Sequence, residues 1–288
     1  MYKDFYNLNE NPFSVTADPA FFFSSSRHAE AFSNLVYGIR ERKGILVITG
    51  EIGTGKTTLC RTLLSKLGND VKTALILNPY FSEVQLLQLI VRDLGIPEAS
   101  KNKLALINSL NQFLCEQAVQ GNNVVLIIDE VQHLNVRQLE QVRLLSNLET
   151  DKSKLLQIIL VGQPELLEKL KLPTLRQLNQ RIAIRYHILP LEKPEIKEYI
   201  HHRLKVASRS TNGRLPVKFN DEALHAIYLF TKGTPRLINI LCDRILLAGY
   251  VAETNTIDEQ LVYKCARELS QLVPTTDHTE AGYSRIES

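Results

Sequence analysis

Short apolar runs alternate with longer stretches whose apolar residues recur every three or four positions, and past Glu192 only the second pattern continues. Ile45–Ile48, Lys72–Leu77, Val124–Glu130 and Leu155–Val161 are short, apolar and rich in branched residues, which predicts buried parallel strands. Ile182–Ile188 alternates instead, with Ile184, Tyr186 and Ile188 on one face. Helical spacing fills the gaps at about Thr57–Leu67, Ser82–Leu94, Lys103–Gln120, Arg137–Leu148 and Glu165–Leu170, with a further segment around Leu175–Gln180. Gly68-Asn69 and Gly95-Ile96-Pro97 stop the first two helices. Five strands separated by helices predict an α/β fold, a three-layer αβα sandwich around a mainly parallel sheet.

Beyond residue 191 the pattern predicts helices alone, at about Glu195–Ser208, Asp221–Thr231, Pro235–Val251 and Asp258–Leu269. Asp221, Thr234 (with Pro235 at the first helical position) and Thr256 read as their start signals. At the other end, residues 1–27 are aromatic and loop-like, with Phe5-Tyr6, Asn11-Pro12-Phe13 and Phe21-Phe22-Phe23. Those rings require cover by the body of the protein. Ser26 then precedes, as its cap, a helix with Glu30 and apolar Ala31, Phe32, Leu35, Val36 and Ile39, which ends near Gly44. The expected domains are therefore an N-terminal segment and helix packed on the core (1–43), the αβα core (44–190), a small helical domain (191–270) and a polar, disordered tail (271–288).

Composition narrows the setting. The 288 residues are 44% hydrophobic and 23% charged, as in a globular protein with a sizeable core. A formal charge of +3 is too small to indicate nucleic acid or membrane by itself. Cys60, Cys115, Cys242 and Cys265 are far apart and lack C-x-x-C spacing, which reads as free core thiols in a reducing compartment. No apolar stretch approaches the roughly 20 residues of a membrane span, and the charged N-terminus is not a signal peptide. The expected location is the cytoplasm, with recruitment to the inner membrane by a partner as an option.

The chemistry is concentrated in Gly50-Glu51-Ile52-Gly53-Thr54-Gly55-Lys56-Thr57, which matches the phosphate-binding pattern G-x-x-x-x-G-K-[ST] between a strand and a helix. At average composition that pattern arises by chance in roughly 1 in 100 chains of this size. Glycines let backbone N–H groups face a polyphosphate, and the helix N-terminus that begins at Lys56, Thr57 and Thr58 adds its unpaired donors. Lys56 is expected to neutralise the β- and γ-phosphates and the Thr57 hydroxyl to coordinate Mg²⁺. Asp129 ends an apolar strand, where such a protein holds Mg²⁺, usually through water. Its neighbour Glu130 can take a proton from the attacking water. A solvated acidic turn is the competing reading of that pair. His201-His202 reads as a solvated helix face, since no third ligand accompanies it.

These motifs, with Leu160-Val161-Gly162-Gln163, Gln180-Arg181-Ile182 and Gly233-Thr234-Pro235-Arg236, follow the order seen in AAA+ ATPases. More narrowly the chain resembles the ExeA-type, general secretion pathway protein A ATPases. That resemblance rests on Asn11-Pro12-Phe13, Asp18-Pro19, Phe21-Phe22-Phe23, His28, Tyr37-Gly38-Ile39, Thr49–Thr57, Asp129-Glu130-Val131-Gln132 and Val161-Gly162-Gln163-Pro164-Glu165-Leu166. It implies a P-loop NTPase core with a C-terminal helical lid and Mg²⁺-ATP as substrate. Gln163 would stand at the sensor 1 position, Arg181 as an arginine finger offered to a neighbouring subunit, and Arg236 as sensor 2. Arg176 and Arg185 compete with Arg181 for the finger role. Asn78 either holds the catalytic glutamate or simply ends its strand. The aromatic segment, with His28 and Tyr37, either closes the adenine pocket or covers core surface.

The implied function is ATP hydrolysis in a ring or arc of subunits that drives a secretion, pilus or polysaccharide-export system of the cell envelope. Full-length secretion ATPases of this type add a membrane helix and a peptidoglycan-binding domain, so the chain is expected to be a shorter relative or a cytoplasmic portion. Two alternatives stay open: an ATP-dependent DNA-binding transposition regulator, and an ATP-gated scaffold with slow hydrolysis. The basic groups that a DNA reading needs (Arg40, Arg42 and Lys43; Arg203, Lys205, Arg209 and Arg214) are scattered among acids, which disfavours it.

Overall fold

The computed structural model describes residues 1–77, 81–97, 102–150, 153–209 and 215–272, so Asn78, Arg214 and the expected tail beyond residue 272 lie outside the described residues. The chain opens with one helical turn, α1 (Tyr2–Phe5), and then alternates strongly: α2 (Ser26–Arg40), β1 (Ile45–Gly50), α3 (Lys56–Lys66), β2 (Val71–Ile76), α4 (Glu83–Asp93), α5 (Lys103–Val119), β3 (Asn123–Ile128), α6 (Val136–Leu145), β4 (Gln157–Gly162), α7 (Glu165–Leu170), α8 (Arg176–Gln180) and β5 (Ile182–Ile188). Four helices follow, α9 (Glu195–Ala207), α10 (Asp221–Thr231), α11 (Pro235–Val251) and α12 (Glu259–Leu272), with two-residue strands β6 (Lys218–Phe219) and β7 (Thr256–Ile257) between them. The chain divides into two compact units, Thr16–Pro190 and a second that joins Met1–Val15 to everything from Leu191.

In the first unit the five strands lie in the order β2-β3-β4-β1-β5, and every pairing is parallel. The αβα class expected from the pattern is therefore the fold observed. Parallel strands bury both faces, and alternate residues of one strand serve different cores. Leu126 and Ile128 face α4, α5 and α6 through Leu86, Leu110 and Leu139. Val125 and Ile127 face α2 and α3 through Leu35 and Leu59. Strands buried on both sides read as continuous apolar runs for this reason. Two buried amides tie down the strand starts: Gln157 Oε1 accepts the Gly44 N–H at 2.8 Å, and Asn123 Nδ2 donates to Ile39 O at 2.7 Å.

The second unit carries α9–α12, and its parallel bridge β6–β7 departs from the expectation of helices alone. Thr256 belongs to β7 and starts no helix; Asp258 does, its Oδ1 accepting the Leu261 N–H at 2.9 Å. Likewise Asn220, not Asp221, caps α10 and Ser25, not Ser26, caps α2, because each cap must sit one residue outside the helix to reach inward N–H groups.

The first 43 residues divide between the two units. Leu8 bridges to Ser208, and Tyr6, Leu8 and Phe13 are buried. Asn11 Nδ2 donates to Asp243 Oδ1 at 3.0 Å, as does the Tyr2 hydroxyl at 2.6 Å. Residues 1–15 thus cover the helical unit, whereas Pro19–Phe21 and α2 belong to the sheet unit. Short aromatic segments carry no sign of which surface they will cover. Cys60, Cys242 and Cys265 are buried, but Cys115 is exposed on α5 and is no core thiol. His201 and His202 are half-buried on α9. Among the described residues no helix is long and apolar enough to cross a membrane.

Candidate functional site

The loop Gly50–Lys56 leaves the C-terminal end of β1 and enters α3 on one face of the sheet. The loops that follow β3 and β4 turn toward the other face, to α6 and α7. Where adjacent parallel strands send their chains to opposite faces, a crevice opens beyond their carboxyl ends. Because β4 lies between β3 and β1, that crevice collects Asp129-Glu130 from one side, Gln163 from the middle and the glycine loop from the other.

The loop is closed on itself. Thr54 Oγ1 donates to Glu51 O at 2.8 Å, while Lys56 Nζ donates to Gly50 O at 2.8 Å and Glu51 O at 2.9 Å. Gly55 caps α3 at φ 94°, a region L-residues rarely enter, and a Cβ there would stand 3.1 Å from His28 Nε2. Glu51 and Ile52 are exposed, whereas Thr54 and Lys56 are buried. Burial depresses the Lys56 ammonium below the ordinary lysine range, against the pull of the Glu130, Asp129 and Glu51 carboxylates. A buried cation satisfied only by neutral carbonyls is a site prepared for an anion.

Thr57 Oγ1 donates to Asp129 Oδ2 at 2.5 Å, joining the first turn of α3 to the end of β3. Asp129 is 2% exposed; its other oxygen accepts the Glu130 N–H at 2.9 Å. Burial raises its carboxyl above the ordinary range, opposed by those two donors and reinforced by the charge of Glu130. A hydroxyl and a carboxylate facing each other at the start of this helix are hard oxygen ligands of the kind Mg²⁺ takes alongside water and phosphate oxygens. Glu130 follows in the left-handed region, φ 53°, and receives Gln163 Nε2 on Oε2 at 3.3 Å.

The other expected residues fall elsewhere. Arg181 immediately precedes β5, the strand beside β1, and so lies at the opposite end of the strands from the glycine loop; a seven-residue strand spans about 20 Å. It is exposed and donates to Ser146 Oγ at 3.3 Å and to Asn147 Oδ1. Arg185 is held by Asn179 at 2.6 Å, and Arg176 is exposed on α8. Arg236 is exposed in the first turn of α11, in the second unit.

Sequence reasoning missed the loop's support. His28 Nε2 lies 2.9 Å from Thr54 O, and its Nδ1 lies 2.7 Å from Ser25 Oγ. His28 is buried on the sheet unit, with Phe22 edge-on at 5.6 Å. The serine-histidine spacing at a helix start was the available signal, but its target is 26 residues away. Lys169 also escaped notice. It donates to Gln132 O at 2.5 Å and Leu134 O at 2.8 Å, clamping the turn after Glu130.

Comparison with known proteins places an AAA domain at residues 39–170. The chain is 41% identical over 271 residues to general secretion pathway protein A of Aeromonas hydrophila, covering 94% of this chain and 49% of that protein. It therefore spans about half the length of that relative. Solved structures share the fold at lower identity. The Aeropyrum pernix ORC2 protein superposes with a TM-score of 0.62 at 19% identity, over 83% of this chain and 66% of that one. The Thermotoga maritima RuvB Holliday junction branch migration motor gives 0.55 at 20%, over 84% and 68%.

Proposed function

We propose that this chain, which carries an AAA domain and is related over nearly its whole length to general secretion pathway protein A, is an ATPase that hydrolyses ATP in the crevice beyond β1, β3 and β4. The observation that carries the reading is the 2.5 Å contact between Thr57 and Asp129, which brings the helix after the glycine loop against the acidic end of β3. Thr57 and Asp129 would hold Mg²⁺, which supplies charge neutralisation for the β- and γ-phosphate oxygens when bound. Backbone N–H groups of residues 50–58 would bind the phosphates. Lys56 would exchange its two loop carbonyls for phosphate oxygens, a stronger, charge-assisted pairing. Glu130 would take a proton from water as the water oxygen bonds to the γ-phosphorus and the bond to the β-γ bridging oxygen breaks. Gln163 lies beside Glu130 and would orient the same water or the γ-phosphate.

Arg181 lies too far along β5 to serve its own glycine loop, which supports a role in a neighbour's site and hence a ring or arc of subunits. The helical lid, residues 191–270, would carry Arg236 as the sensor 2 residue, in the first turn of α11. The work done is assembly or remodelling of an envelope system, at the inner membrane through a partner; kinship with a secretion pathway protein supports this assignment.

Equilibrium binding of a fluorescent ATP analogue with and without Mg²⁺ tests the site, followed by phosphate release. Wild type should bind with Mg²⁺-dependent affinity, Lys56→Ala should lose binding, and Glu130→Gln should bind normally while turnover falls about 10²- to 10⁴-fold. Full turnover in Glu130→Gln, or binding indifferent to Lys56 and Mg²⁺, overturns the reading.

A further inference from the structure

Gln132 lies two residues past Glu130, in the short turn Val131–His133. Its side-chain amide faces two ways. Nε2 donates to Glu130 Oε2 at 2.5 Å, and Oε1 accepts the backbone N–H of Gln163 at 3.1 Å. Gln163 Nε2 reaches the same Glu130 oxygen at 3.3 Å. These bonds link Glu130, Gln132 and Gln163 into a closed ring. Both amide donors land on Oε2, so Oε1 remains the open acceptor of the carboxylate.

The surrounding fold is shaped to keep this ring. Glu130 adopts φ 53°, an uncommon conformation for a residue with a side chain, and it turns the carboxylate back toward β4. Gly162, the last residue of β4, leaves the space that Gln132 uses: a Cβ there would stand 2.9 Å from Gln132 Oε1. From outside, Lys169 fixes the backbone of the turn through Gln132 O and Leu134 O. His133 Nε2 comes no closer to Glu130 Oε2 than 4.0 Å, so it does not replace the amides.

We propose that Gln132 is a positioning residue for Glu130: it pins one carboxylate oxygen so that the other points at the attacking water, and it ties that orientation to the Gln163 segment. The inference rests on Glu130 acting as the base. A carboxylate with both oxygens loose spends part of its time aimed away from the water, and small misplacements of a reacting group cost large factors in rate.

Steady-state hydrolysis of Mg²⁺-ATP by Gln132→Ala, the isosteric Gln132→Glu and Gly162→Ala tests it, with Glu130→Gln alongside. In Gln132→Ala kcat should fall about tenfold, less than in Glu130→Gln, while KM, ATP affinity and melting temperature stay near wild type; Gln132→Glu should lower kcat at least as far, because it sets a second carboxylate against Glu130 Oε2 in place of the amide donor. Gly162→Ala should lower kcat as well, and by less in the Gln132→Ala background, where its clash with Gln132 Oε1 is gone and only the tighter approach to Leu166 at 3.2 Å remains. Unchanged kcat in both Gln132 variants beside a crippled Glu130→Gln overturns the inference alone. A loss shared by kcat, affinity and stability reduces Gln132 to a structural prop and also overturns it. Full activity in Glu130→Gln overturns the reading of Glu130, and this inference falls with it.

Discussion

His28 Nε2 stands 2.9 Å from the carbonyl oxygen of Thr54, so a helix 26 residues upstream holds the crown of the glycine loop. Ser25 fixes the ring from its other nitrogen. His28→Ala removes both bonds and leaves a buried carbonyl without its partner, a loss of about 1–3 kcal/mol. The expected outcome is a lower urea midpoint together with weaker Mg²⁺-ATP binding, because the loop loses its preorganised shape. A stability loss with unchanged affinity would show that His28 supports the fold but not the loop.

Arg203 is 6% exposed and ties the N-terminal segment to α9, donating to Pro12 O at 2.5 Å and Ser14 O at 2.9 Å with its guanidinium over the Tyr199 ring. Lysine offers neither the fork nor the planar stacking. Arg203→Ala and Arg203→Lys should both destabilise the helical unit, the first by about 2–4 kcal/mol. Limited proteolysis should then cut within residues 1–15 while the sheet unit stays intact.

The histidine pair on α9 makes stability depend on pH. Burial holds the His201 and His202 imidazoles below the ordinary histidine range, with Lys197 adding to the first and Arg203 and Lys205 to the second. The unfolded chain therefore binds these protons more tightly, so their contribution is complete above about pH 6.5 and is lost as pH falls through the lower folded values. Denaturation midpoints should drop between about pH 7 and about pH 5.5. His201→Asn/His202→Asn should flatten that drop.

Arg181 sits a strand's length from its own loop, which makes the proposed action in trans testable. Arg181→Ala and Glu130→Gln subunits should each be inactive alone, since an arginine finger is worth about 10³- to 10⁵-fold. Mixed together, they should recover activity at interfaces that pair an intact Arg181 with an intact Glu130. If the mixture stays inactive while heteromers form, the finger is another residue, Arg185 or Arg176 being the first to examine.

Much of the fold was legible because its signals are local. Val124–Ile128 is apolar throughout, which only a strand buried on both faces requires, and Gly50–Thr57 carries its chemistry in eight consecutive positions. Glu130 and Gln163 could each be marked at a strand's end, yet their contact through Gln132 could not. Lys169 looks like an ordinary polar residue of a helix, and nothing local shows what Gln132 and His28 touch. Their partners lie up to 37 residues away.

The amino-acid order alone determined the parallel αβα class, the glycine loop and the two acids after the third strand. Periodicity and motif spacing depend on neighbours along the chain, and they survive without knowledge of packing. Tertiary structure alone decided that residues 1–15 cover the helical unit, that Arg181 lies a strand's length from its own loop, and that three side chains from different elements pin one carboxylate oxygen or support the turn that does so. Those facts depend on strand order and on which surfaces are left uncovered, and they exist only once the sheet has closed.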